Sequence, residues 1–329
     1  MSLSHLPHGL FATPSLGGSV AGSLARYPGL WTQRIFFVDA DHGSNGNTGL
    51  EPTKAKATIQ AAVNAAGVDD TIYIRPQAET QGWSDLDPRY GSYRATYIEN
   101  VNVVRFTKAG LSIIGTGNGW GTSGGSVTMV GAAAQDCTID VHAAFVNIEN
   151  IQFGWRAQQT NQTGTVIRLI NGQTLDDTAS HSAFGDTVSN CWFDRSGNVW
   201  GAILIASSAG HLIENCTFDN CNVGVYLDSS DTTPDGVFIR GNTWFGTASN
   251  TTVCIVMADV DDICIERNIF AHTCPSKGSP NKYVSVAGTA YGSYFGNIVG
   301  STQTAVATDH SLNNLSSGGN MGKTGSFLT

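Results

Sequence analysis

The feature that most constrains this chain is a phrase that returns about every 26 residues. Each time it brings a short apolar strand, an asparagine and a large apolar residue. It reads VNIENIQF from Val146, VSNCWF from Val188, HLIENCTF from His211, VFIRGNTWF from Val237, ICIERNIF from Ile263 and, more loosely, YFGNIVG from Tyr294. The asparagines are Asn150, Asn190, Asn215, Asn242, Asn268 and Asn297, at intervals of 40, 25, 27, 26 and 29 residues. A period in that range marks a solenoid in which each repeat buries its apolar face against the next.

A second strand follows each phrase, at Val166 to Ile170, Ala202 to Ala206, Val223 to Leu227, Val253 to Met257, Val284 to Val286 and Ala305 to Ala307. Short β-branched strands joined by Gly, Asn, Asp and Ser, with no helical period between them, describe the coils of a parallel β-helix. A leucine-rich repeat would need Leu-x-x-Leu-x-Leu spacing, and Val, Ile and Phe stand here instead.

The asparagine has a physical reason to recur. A coil turns sharply between strands, and Asn tolerates the left-handed backbone that such corners demand. Stacked corners would set Asn150, Asn190, Asn215, Asn242 and Asn268 one strand spacing apart, about 4.8 Å, as a hydrogen-bonded ladder. Phe153, Phe193, Phe218 and Phe245 follow their asparagines by three residues. The same logic makes them an internal aromatic stack.

Composition excludes several classes. The net charge of −9 argues against a nucleic-acid partner. Seven cysteines without a Cys-x-x-Cys pair argue against a disulfide framework and a zinc site. Cys191 and Cys216 directly follow ladder asparagines and are expected as buried thiols on neighbouring coils, with Cys137, Cys254 and Cys264 on other strands. That usage fits synthesis in a reducing cytoplasm. No apolar run is long enough to span a membrane, and the first residues lack the basic start of a secretory signal.

Residues 1–33 form a Gly, Pro and Ser-rich arm with apolar anchors at Leu3, Leu6, Leu10, Phe11 and Leu16 and no periodicity. Such a segment is expected to order only against a partner. The solenoid is expected over 34–308, with a short amphipathic helix near 53–66 covering its open end through Ile59, Ala62, Val63 and Ala66. Residues 309–329 are expected to fold back as the far cap. A polar, aromatic insertion runs from Gln77 to Tyr97, and the 40-residue interval implies about 14 extra residues within Arg156 to Asp186. Such excursions are where partners or ligands touch.

FFVDADHGSNGNTGLEPTKAKATIQAAVNAA, from Phe36 to Ala66, resembles the opening of the pectate-lyase-like superfamily of right-handed β-helices. The resemblance implies an all-β, right-handed parallel β-helix solenoid with an N-terminal capping helix. The superfamily holds polysaccharide lyases and hydrolases, bacteriophage tail spikes and head-associated proteins, so fold is implied far more than activity. The opening MSLSHLPHGL resembles the N-terminal arms of phage structural proteins.

No complete catalytic set is legible. The polygalacturonase branch of the fold has a Gly-His-Gly element, but Gly210 and His211 precede Leu212, and Asn-Thr-Asp and Arg-Ile-Lys do not occur. His211 begins a repeat strand and reads as a structural residue. Asp194 and Asp219 each fall four residues after an asparagine and are weak catalytic candidates. On adjacent coils they would approach the separation of a retaining glycosidase, but the next coil carries Gly246 there, and aspartate after a strand is the ordinary turn residue. Arg240 and Arg267 lack the acidic cluster that a calcium-dependent lyase needs. The turn from Asp39 to Asn47 lacks calcium ligands at required positions, and His5 and His8 have no partners at ligand spacing.

No metal and no cofactor are therefore expected. The reading that unites these features is a bacteriophage virion structural protein, a capsid decoration, cement or head-spike protein. It would be made in the host cytoplasm, attach through its arm to the major capsid or another virion protein, and associate as a homotrimer. The alternatives are a polysaccharide lyase or glycoside hydrolase of the tail-spike type and an adhesin solenoid that binds carbohydrate. A host surface glycan is a further candidate ligand.

Overall fold

The computed structural model describes residues 33–77, 97–104, 106–117, 127–131, 137–154, 165–173, 180–194, 201–219, 221, 223–229, 233–245, 253–270, 284–286, 288–299, 315–318, 320–322 and 327–328. They form a right-handed parallel β-helix of three sheets. Sheet A has ten strands, from Ile35–Val38 through Asn147–Glu149 and Leu212–Glu214 to Leu315–Gly318. Sheet B also has ten, from Tyr97–Ile98 through Ile151–Phe153 and Thr217–Asp219 to Phe327–Leu328. Sheet C runs from Val101–Val104 through Ile139–His142, Ile167–Gln173, Ile203–Ala206, Val223–Asp228 and Val253–Met257 to Val284–Val286. Each coil passes from C to A to B.

Alternation decides what lies inside. In sheet C, Ile139, Val141, Ile167, Leu169, Ile203, Ile205, Val225 and Leu227 are almost wholly buried, and their neighbours in sequence point away from the core. Inside sheet B the rings of Phe153, Phe193, Phe218, Trp244 and Phe270 stack along the axis, with centroids 5.2, 4.9, 4.7 and 5.0 Å apart. Trp244, not Phe245, holds the fourth place. Phe218 is in register with Trp244, and Asp219 with Phe245.

That one-residue shift begins at the corner between sheets A and B. The left-handed residue there is Asn150, Asn190 or Asn215 in the earlier coils, but Gly241, Arg267 and Gly296 in the later ones, with φ from 52° to 65° throughout. Asn242, Asn268 and Asn297 therefore come one position after the turn, where they are fully buried. The amide ladder belongs to these three. Asn297 Oδ1 accepts from the backbone N and Nδ2 of Asn268, Asn268 Oδ1 accepts from the same atoms of Asn242, and Asn242 Oδ1 accepts from the backbone N of Cys216. Asn150 and Asn190 make other bonds, to the carbonyls of Gly115 and Gly117 and to Glu149 Oε1. The sequence phrase aligned two kinds of asparagine that the backbone separates.

The helix α1, Ile59–Ala65, covers the N-terminal end with Ile59, Ala62 and Val63 buried. Its termini are held by a later stretch of chain. The Glu99 carboxylate accepts from the backbone N of Ile59 and Gln60 at 2.9 and 3.0 Å, and Lys108 Nζ donates to the carbonyls of Asn64 and Ala66. Acid at the first turn and base at the last complement the helix dipole. The long repeat interval is taken up in part by an antiparallel hairpin of Ile167–Gln173 with Ser180–Ser182. Parallel pairing continues past residue 308 through Leu315–Gly318 and Asn320–Gly322, and the chain reverses at Phe327–Leu328.

Candidate functional site

Two polar clusters lie on neighbouring parts of the solenoid. The first joins Ser208, His211 and Asp186 at the corner between sheets C and A. His211 Nε2 is 2.8 Å from Ser208 Oγ, and His211 Nδ1 is 3.5 Å from Asp186 Oδ2. The order of groups is that of a hydrolase triad, but the protons run the other way. The Asp186 backbone N donates to Nδ1, so Nε2 carries the proton and donates to Ser208, whose hydroxyl donates to the carbonyl of Leu169. A serine nucleophile needs the opposite polarity. All three residues are at most 5% exposed. Burial pushes His211 down to about 3 and the Asp186 carboxyl well above its usual range, the latter opposed by a bond from the Val146 backbone N. The cluster is a sealed corner, as expected of His211 from its place in the repeat.

The second cluster was not legible in the sequence. Asp140 and Arg168 are paired across adjacent strands of sheet C, with His142 two residues further along the first strand. All three alternate with core residues and so project outward, yet Asp140 is 8% and His142 4% exposed. Arg168 Nε donates to Asp140 Oδ1 at 2.8 Å, Arg168 Nη2 donates to Oδ2, and His142 Nε2 lies 3.1 Å from Oδ1. Burial alone would raise the Asp140 carboxyl, but the hydrogen bonds and charges of Arg168 and His142 outweigh it and hold it below its usual range. Asp140 Oδ1 faces His142 Nε2, and His142 Nδ1 is buried without a hydrogen-bond partner. A carboxylate, an imidazole and a guanidinium are thus brought together on one face of sheet C. The cluster's one sequence signal was the alternation Ile139-Asp140-Val141-His142, which places two polar side chains on an outer face.

The sequence candidates are arranged differently. Asp194 and Asp219 are in direct register on sheet B. The next residue at that level is Phe245, not Gly246, because of the shift at Gly241. The side chain of Asp194 lies outside the described residues. Arg240 is paired with Glu214 at 2.9 Å, whereas Arg267 is itself a left-handed corner residue, so the two do not share a column. In the first turn, Asp39, Asp41 and His42 each bring a ligand atom within 4.8 Å of the others. Arg75 Nη1 already stands 2.6 Å from Asp39 Oδ2, and the other oxygen accepts from the backbone N of Asp41 and His42. The guanidinium supplies there the positive charge that a cation would bring.

Cys137, Cys191, Cys216, Cys221 and Cys254 are buried and Cys264 is half-buried. The Sγ atoms of Cys191 and Cys216 lie 3.8 and 3.6 Å from the carbonyls of Ile148 and Val188, on neighbouring coils. Residues 1–32, including the apolar anchors from Leu3 to Leu16, and most of the insertion from Gln77 to Tyr97 lie outside the described residues. No helix of the described residues is long and apolar enough to cross a membrane.

No protein-family model matches the sequence, and no curated protein matches it. Solved structures do resemble the fold. A pectin methylesterase from Aspergillus niger is 13% identical over 88% of this chain and 85% of its own, with a TM-score of 0.36. The Streptococcus pneumoniae surface protein and adhesin PfbA is 13% identical over 78% of this chain and 76% of its own, with a TM-score of 0.39. The GH136 lacto-N-biosidase from Eubacterium ramulus is 10% identical over 92% of this chain and 69% of its own, with a TM-score of 0.37. All three are right-handed parallel β-helix proteins. The likeness is one of fold.

Proposed function

We propose that this chain is a non-enzymatic virion component, a capsid decoration, cement or head-spike protein. It is made in the host cytoplasm, anchors through residues 1–33 to a major capsid or other virion protein, and associates as a homotrimer. The observation that carries the reading is the sealed Ser208, His211 and Asp186 corner, whose proton order is the reverse of a working nucleophile. Chemistry-bearing side chains there serve the fold. The buried thiols of Cys191 and Cys216, each set against a backbone carbonyl, support assembly in a reducing compartment.

The test is co-purification with virus particles from infected cells. The full-length wild type should travel with particles, and a full-length variant with Leu3, Leu6, Leu10, Phe11 and Leu16 changed to serine should not. Equal incorporation of both proteins would remove the arm from the mechanism, and incorporation of neither would sink the virion reading. Light scattering of the soluble protein should give a trimer mass.

A second reading, a carbohydrate-processing solenoid, is favoured by the Asp140, His142 and Arg168 cluster on the outer face of sheet C. Release of reducing ends from surface polysaccharide by the wild type, lost in Asp140→Asn, would establish it over the first.

A further inference from the structure

The corner that leads into sheet A contains one residue that its geometry disfavours. Along seven coils the left-handed position is occupied by Asp69, Gly110, Phe145, Gly185, Gly210, Gly236 and Asp262, with φ between 50° and 74°. Glycine meets no Cβ penalty there, and aspartate adopts the conformation far more readily than a bulky side chain. A bulky aromatic in that region is a true backbone outlier. Burial does not offset the strain at Phe145, which is 54% exposed.

The neighbouring coil repeats the exposure. Phe184 is 46% exposed, and the two rings meet edge to face with centroids 5.6 Å apart at 90°. Both lie over glycine. A Cβ on Gly185 would stand 2.7 Å from the Phe145 ring, and one on Gly210 would stand 3.5 Å from Phe184 Cε2. Further up the same corner, Phe184, Ala209, Asp235 and Asp261 pair in sequence from coil to coil, and both aspartates are exposed. Phe184 leans over Gly210 and so toward the coil of Asp235. A strained backbone that holds an exposed ring in place points to an interaction outside the chain.

We propose that Phe145 and Phe184 form a carbohydrate-recognition platform, on which the apolar face of one pyranose of an oligosaccharide rests while rings further along the sugar chain reach the carboxylates of Asp235 and Asp261, two and three coils beyond Phe184. Three considerations select a sugar. Two half-exposed phenylalanines offer about 200 Å², well short of the roughly 800 Å² that each side of a stable protein interface buries. Rings meeting edge to face leave open faces instead of enclosing the cage that suits a quaternary ammonium. Carboxylates accept hydroxyl hydrogen bonds, and successive coils rise by about 4.8 Å, a step suited to a chain of sugar rings. This inference is independent of the virion reading, because particle attachment and sugar binding are measured separately.

The experiment uses the full-length protein on an array of neutral, amino and uronic oligosaccharides, followed by calorimetry with the best binder. Phe145→Asn keeps a residue that tolerates the left-handed turn, and Phe184→Ala removes the second ring. Each should weaken binding at least tenfold, Phe145→Tyr should retain it, and Asp235→Asn should weaken it severalfold. Phe145→Asn should also raise Tm by about 2 °C as the strain is relieved. Absence of sugar binding by the wild type, sugar binding indifferent to both ring variants, or competition by tetramethylammonium in place of sugar would overturn the proposal. A Tm lowered by Phe145→Asn would mark the ring as packing and overturn it equally.

Discussion

The corner between sheets A and B is built in two ways along one solenoid. From Asn150 to Asn215 the turn itself is asparagine and the next position is Ile151, Cys191 or Cys216. From Gly241 to Gly296 the turn is Gly, Arg or Gly, and the next position is a buried asparagine. The backbone is the same, but the inner groups are satisfied differently. In the later coils the amides donate to the carbonyls of Ile213, Ile239 and Ile265 at 2.9 to 3.0 Å. In the earlier coils a thiol offers the corresponding carbonyls of Ile148 and Val188 a weaker and longer contact. A repeat thus conserves a conformation more strictly than the side chain that serves it.

The first way to test the comparison is to remove what both halves share. Phe218 joins the earlier rings to Trp244 and is 1% exposed. Phe218→Ala should cost about 4 kcal/mol in reversible denaturation. A loss under about 1 kcal/mol would show that the stack is not a cohesive element.

Next in size is the ladder. Asn268→Leu strips partners from the Asn242 amide, the Asn297 side-chain oxygen and the Ile239 carbonyl. Asn297 Oδ1 keeps the Asn268 backbone N, and the loss of the other bonds at these buried groups should cost about 3 kcal/mol. The turn residue Asn215 should behave differently. Asn215→Gly should change stability by less than about 0.5 kcal/mol and Asn215→Ala should cost about 1 kcal/mol, since only the latter resists the left-handed turn. Equal costs at residues 215 and 268 would erase the distinction between the two corners.

A pH titration separates the sealed corner from both ladders. With Asp186 raised and His211 lowered to about 3, the folded pair holds one proton from about pH 3 until the Asp186 carboxyl ionises. Unfolded, it holds two below the usual carboxylate value, one between that and the usual histidine value, and none above. Stability from this pair is therefore flat between about pH 4 and 6.5 and falls on either side, the alkaline fall continuing until the raised Asp186 carboxyl itself ionises. Asp186→Asn should abolish the alkaline fall, which urea midpoints at pH 6.5 and 8 would reveal. An unchanged slope would mean that the pair does not govern it.

A smaller effect concerns the tryptophan that entered with the register shift. A Cβ on Gly224 would lie 2.2 Å from Trp244 Nε1 and 2.7 Å from the Cys254 carbonyl oxygen. Gly224→Ala should cost about 2 kcal/mol through overpacking, part of which Trp244→Phe should restore in a double-mutant cycle. The smallest effect is a gain. Asn215→Gly with Cys216→Asn transplants the later corner one coil down, and an added amide bond should stabilise by about 1 kcal/mol. No gain would show that the earlier coils lack room for the amide.

The sequence by itself determined the repeat, the parallel β-helix, the capping helix and the first three rings of the stack. These depend on periodic patterns of apolar and turn residues, which survive without coordinates. It could not place Trp244 over Phe245 or separate the two kinds of asparagine, because a one-residue shift of the turn leaves the printed phrase almost unaltered while moving side chains between the two faces of a strand. Nor could it bring Asp140 to Arg168, 28 residues away, or turn the Ser208, His211 and Asp186 protons inward. Sequence spacing sets which residues share a coil. The register between coils, and the burial that fixes each proton, arise only when the coils stack.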